Sequence, residues 1–169
     1  MFDKTYAMHM LKGLKRTRLV RILRAAQMAR LHFACVSDVD HSMVLHIQHA
    51  YRLVNTDKIV LALSDVYQPN SVYCADQDFD YDSFAWDEVG NNRFDEIVES
   101  DLLPRLNEDN FIVNDIELSN FGDLKISFGN GYSLEVFIDT SGEKECWRFM
   151  DLINIDTHLV VTGVGIEMN

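Results

Sequence analysis

Cysteine, proline and glycine are all scarce in this chain, and each scarcity excludes something. The three cysteines, Cys35, Cys74 and Cys146, are an odd number without close spacing. That excludes a disulfide framework and reads as reduced thiols in a cytosolic protein, each serving as a small buried hydrophobe. Only two prolines and eight glycines occur, and no low-complexity tract or repeat is found. Gly129-Asn130-Gly131 reads as a hairpin turn, and no helix follows Gly163-Val164-Gly165, so a glycine-rich phosphate loop is missing. No apolar stretch approaches the length of a membrane span, and residues 1–14 hold no apolar run of secretory length. The expectation is a cytoplasmic bacterial protein.

Catalytic signatures are missing too. No serine sits in a Gly-x-Ser-x-Gly elbow, and no carboxylate pair stands out as an acid–base couple. His46 and His49 are three apart, which on a strand puts them on opposite faces; His41 lies near them and His158 stands alone. Asp76, Asp78, Asp80 and Asp82 alternate like the start of a calcium loop. An EF-hand needs Gly at its sixth position and Glu at its twelfth. Counted from Asp76 those positions hold Tyr81 and Asp87, and counted from Asp78 they hold Ser83 and Val89. The reading is therefore no enzyme, no metal and no cofactor.

What is present in excess is acid, unevenly placed. The net charge is −12, yet residues 1–30 hold eight Lys or Arg and one acid, Asp3. Between Asp76 and Asp101 there are ten acids and one base, Arg93. Like charges crowded this closely repel, so the segment is either a solvated face or the counterpart of a basic partner. Tyr73, Phe79, Tyr81, Phe84 and Trp86 interleave with the acids. Aromatics among carboxylates suit a protein interface, where Trp and Tyr anchor contacts, better than a nucleic-acid platform.

A chain of 169 residues with 47% hydrophobic content fits one domain, over 1–169, with a substantial core. Leu19, Ile22, Leu23, Ala26, Ala29 and Phe33 recur at spacings of three and four, which predicts a helix over 12–33 with Arg18, Arg21 and Arg24 largely off its apolar stripe. Strands are predicted at 43–48, 51–54 and 58–63, with a turn at Asn55-Thr56-Asp57. The run Ile59-Val60-Leu61-Ala62-Leu63 is apolar throughout and implies a strand covered on both faces. Residues 68–91 read as a long loop, and 92–106 as a second helix whose stripe is Phe94, Ile97, Val98, Leu102 and Leu106, with Pro104 distorting its last turn. A meander follows: 112–118, then 124–128 and 132–138 joined at Asn130-Gly131, then a strand around Trp147 and Phe149, and 159–162 last. The predicted fold is α+β, a twisted antiparallel sheet of about six to eight strands packed with two main helices.

Several stretches carry a resemblance to a family of small bacterial proteins. They are Leu45-His46-Ile47-Gln48, Arg52, Lys58-Ile59-Val60, Asp65, Tyr67, Pro69, Trp86 and Asn92-Arg93-Phe94-Asp95. Further on come Gly122-Asp123-Leu124, Phe128 with Asn130-Gly131, Leu134-Glu135-Val136-Phe137, Trp147-Arg148-Phe149, and His158 to Gly163 with Gly165-Ile166-Glu167. The chain departs from that family's frequent Cys-Pro-Trp, having His49-Ala50-Tyr51 instead. The family resembles immunity proteins of polymorphic-toxin and contact-dependent growth-inhibition systems. The resemblance implies an antitoxin and offers no catalytic residue. The expected partner is the basic nuclease domain of a bacterial toxin. The residues expected to meet it are Asp76, Asp78, Asp80, Asp82, Asp87 and Glu88 as phosphate mimics, with Tyr81 and Trp86 as anchors. The alternative is a nucleic-acid-binding domain using Arg16, Arg18, Arg21 and Arg24 on the basic helix.

Overall fold

The predicted first helix is a β-hairpin. In a computed structural model, which describes residues 2–37, 41–106, 111–153 and 158–167, β1 (Thr17–Ala25) and β2 (Met28–Cys35) pair antiparallel. The strand resembles a helix in sequence because of a bulge between Leu19 and Arg21. It adds one residue and flips the parity of the strand, so Thr17, Leu19 and Ile22 all face inward. The resulting step of three mimics a helical period. The reversal at Ala26-Gln27, with Ala26 at φ +50, then resets the count. On β2 the alternation is regular: Ala29, Leu31 and Phe33 are buried, and Arg30 and His32 face the other way.

Two antiparallel sheets replace the single one expected. Before them, α1 (Lys4–Leu11) is capped by Asp3, which accepts from the Tyr6 N–H at 3.0 Å, and it buries Ala7 and Leu11. The first sheet has the order β1-β2-β3-β9-β10-β11, with β3 at Ser42–Ile47, β9 at Glu145–Asp151, β10 at His158–Thr162 and β11 at Gly165–Glu167. The second has the order β5-β4-β8-β7-β6, with β4 at Tyr51–Asn55, β5 at Lys58–Ala62, β6 at Val113–Leu118, β7 at Leu124–Phe128 and β8 at Tyr132–Val136. β11 lies beyond the 159–162 strand that the sequence reading places last.

The inner faces share one core. Ile22, Ala29 and Leu31 of the first sheet and Leu53, Leu61 and Leu134 of the second line a residual cavity of about 10 Å³, closed at one side by Phe94. The sheets are stitched at two corners. The Gln48 N–H donates to the Cys146 carbonyl at 2.9 Å and the Phe137 N–H to that of Ala50 at 2.8 Å, so the chain passes from one sheet to the other over 48–50. At the second corner β1 meets β6 through an Arg18–Ile112 bridge and an Arg16 N–H to Val113 carbonyl bond of 2.9 Å.

That closure leaves β5 and β11 as outer strands. Ile59 on β5 is 55% exposed, so this apolar run is an edge rather than a strand covered on both sides. The Asn-Gly hairpin is present, with Gly131 at φ +81 against Thr56. The 92–106 helical segment is present as well, with uneven pitch. α3 (Arg93–Ile97) opens into a wider turn over Val98–Leu102 and tightens at Leu103–Arg105, where Pro104 supplies no N–H. Among the described residues no helix is long and apolar enough to cross a membrane.

Candidate functional site: a fastened acidic segment

Residues 70–91 leave the core and return to it through a zipped neck. Pro69 bridges Asn92, the Asn70 N–H donates to the Asn91 carbonyl at 3.0 Å, and the Arg93 N–H donates to that of Gln68 at 2.8 Å. A loop with joined ends loses less entropy when its tip is ordered. A short helix, α2 (Ser71–Ala75), follows the neck, with the Asn70 side chain accepting from the Tyr73 N–H at 3.0 Å. Glu96 of α3 accepts from both the backbone N–H and the hydroxyl of Ser71.

Asn92 and Arg24 both fasten the return limb. Asn92 is fully buried; its Nδ2 donates to the Trp86 carbonyl at 2.7 Å while its Oδ1 caps α3 through the Asp95 N–H at 2.9 Å. Arg24, at the end of β1, forms a paired contact with Asp95 at 2.8 and 2.6 Å and also donates to the carbonyls of Asp87 and Glu88 at 3.2 and 2.8 Å. The two ionic side chains are 4% and 14% exposed, so this pair lies largely out of water.

On this frame the predicted acids Asp76, Asp78, Asp80, Asp82, Asp87 and Glu88 are all exposed. Asp76 and Asp80 each spend one oxygen on the backbone N–H two residues on, at 3.0 Å. Beneath them Tyr73, Phe79 and Phe84 form a ring cluster, with Phe79 5.2 Å from Tyr73 and 5.6 Å from Phe84 between centroids. Tyr81 stands edge-on to Phe79 at 4.8 Å and is 65% exposed. A cavity of about 370 Å³ lies between these rings and Asp76, Asp78, Asp80 and Glu88. Trp86 is placed differently from the rest. It is half-buried, packs on the core 4.9 Å from Tyr67, and forms the foot of the segment. Among the described residues no His, Cys, Asp or Glu cluster could hold a metal ion.

The residues of the nucleic-acid alternative share no helix. Arg16 takes φ +68 before β1, Arg18 and Arg21 lie along the strand, and Arg24 is spent on Asp95. Arg24 and Asn92 hold the return limb in a way that the sequence alone does not assign. Asn92 had a local signal, since Asn-x-x-Asp is a helix-start pattern, whereas nothing near Arg24 announces a partner on a distant helix. Cys146 is buried as expected, with its thiol pushed up to about 11 by burial and by the charges of Asp139 and Glu145, but Cys74 is exposed.

No family model, curated protein or solved structure matches this chain.

Proposed function

We propose that this chain is an immunity protein that binds the basic nuclease domain of a bacterial toxin through residues 76–88. The observation that carries the reading is six exposed carboxylates on a segment whose return limb, at Trp86, Asp87 and Glu88, is fastened to the core by Arg24 and Asn92. A nuclease holds phosphates in a basic cleft. A row of carboxylates on a segment with joined ends can occupy such a cleft with less ordering cost at the moment of binding than a free loop would pay. Complementary charge raises association rates toward about 10⁸–10⁹ M⁻¹s⁻¹, which suits a protein that must reach its target before the target cuts. Tyr81, exposed amid the acids, is the anchor best placed to add contact area. Trp86 supports the surface from below. The nucleic-acid alternative is weakened because Arg24 is occupied.

The test is co-purification with the toxin domain encoded by the adjacent reading frame, followed by a nuclease assay with and without this chain. Asp80→Lys with Asp82→Lys should slow association at low salt by about tenfold or more while changing dissociation less. An unchanged association rate would overturn the charge-mimicry reading.

A further inference from the structure

The outer face of the six-stranded sheet carries the opposite charge. Register fixes its composition. Leu23, Arg30, His46, Arg148 and Val160 lie side by side across β1, β2, β3, β9 and β10. Arg21, His32, Val44, Met150 and His158 form the next row. Three guanidiniums and three imidazoles thus occupy two adjacent rows of a chain whose net charge is −12. Among the described residues, the carboxylate that meets this group is Glu145, paired with Arg148, whose Nη1 also lies 3.5 Å from His158 Nδ1. Glu167, opposite Val160 on the exposed edge of β11, is a further acid at its margin.

Arg21 and Arg30 have no carboxylate partner among the described residues. Arg30 Nε and His32 Nε2 are shielded from water and have no hydrogen-bond partner there either. A polar atom left so costs free energy, and two together on one face need an explanation. The imidazoles register the same field. Burial, then Arg30 and Arg21, lower the pKa of His32. Burial, Arg30, Arg148 and His32 lower that of His46, with Glu145 opposing.

We propose that this face is a binding site for a tetrahedral dianion, the phosphate monoester group of a small molecule, for which the free sulfate ion is a probe, held by Arg30, His32 and His46 with Arg21 at its rim. Arginine suits the charge and shape of such a group, and three strands about 4.8 Å apart span roughly one such ligand with its first substituent. A nucleic-acid strand fits less well. Of the apolar residues in the rows, Val44 and Val160 are buried, and Leu23 and Met150 offer no aromatic ring on which a base could stack. The site uses none of the acidic segment, so it stands or falls separately from the immunity reading.

The experiment titrates the intact chain with sodium sulfate against sodium chloride at matched ionic strength and follows the imidazole signals of His32 and His46 by NMR. Sulfate keeps its charge between pH 5.5 and 7.5, so any pH dependence belongs to the protein. Saturable shifts of both signals are expected, together with tighter binding as pH falls, because a protonated imidazole donates from both nitrogens. Arg30→Gln should weaken sulfate binding by about tenfold or more. The exposed Arg21→Gln provides a second variant should the first not fold, with a smaller loss in the same direction. Inorganic phosphate at pH 7.5 should compete. Identical shifts in chloride and sulfate would overturn the proposal. So would a short single-stranded oligonucleotide that binds far more tightly than either anion, since that would make the face a nucleic-acid surface.

Discussion

Arg24 and Asp95 lie 71 positions apart in the chain and meet through two parallel hydrogen bonds of 2.8 and 2.6 Å. One contact joins the end of β1, the start of α3 and, through the carbonyls of Asp87 and Glu88, the return limb of the acidic segment. Asp95 also accepts from the Gly90 N–H at 2.8 Å, so its oxygens serve the ion pair and the loop together.

Removing one partner of so shielded a pair strands the other charge. Arg24→Met should therefore destabilise the chain by about 3–5 kcal/mol in urea unfolding, and Arg24→Met with Asp95→Met by less than the single change. A single-variant cost below about 1 kcal/mol would mean that the pair is solvated and the segment fastened by other contacts.

Gly122 is held to three demands at once. It takes φ +99, a Cβ there would lie 2.9 Å from Val161 Cγ1, and its carbonyl accepts the Trp147 indole N–H at 2.9 Å. Gly122→Ala should cost about 1–3 kcal/mol, with loss of near-ultraviolet circular dichroism from a displaced Trp147.

The three thiols should react in order of access. Cys74 is exposed, Cys35 half-buried and Cys146 buried with its thiol pushed up to about 11. With a thiol reagent at pH 8, Cys74 should label first and Cys146 only on unfolding, since the thiolate is the reactive form. Prompt labelling of Cys146 would show that the corner at 48–50 opens readily.

His32 and His46 should make stability fall on mild acidification. Their folded pKa values lie below the ordinary 6.5, so between the folded and unfolded values the unfolded chain holds more protons. Stability is then fully present above about 6.5 and declines as pH drops below it. The urea midpoint should fall between pH 7 and 5.5, and His32→Gln should flatten that decline.

The parts of the fold legible in the sequence were those fixed by local geometry. Leu45 and Ile47, or Tyr132, Leu134 and Val136, alternate without interruption, and each run is a strand with that face buried. The helix placed at 92–106 by its apolar stripe begins where expected, with Asn92 as its cap. Local reasoning failed where one residue changed the period. The bulge after Leu19 converted a strand's step of two into three, and a hairpin was read as a helix. Ile59 was misjudged because an edge and a centre look alike in sequence; only strand order separates them. Of the candidate site, the acids and Tyr81 were legible from composition. Their fastening to Arg24 was not, because an ion pair between distant positions leaves no spacing to read.

The two tryptophans have been placed by the fold in unlike surroundings. Trp147 is fully enclosed and bonded to Gly122, while Trp86 stands half in water beneath the carboxylate row. Each therefore serves as a separate optical gauge: emission from the first tracks whether the interior is intact, and quenching of the second by neutral acrylamide tracks whether anything has settled over residues 76–88. Folding and docking can be watched in one cuvette, without attaching a dye.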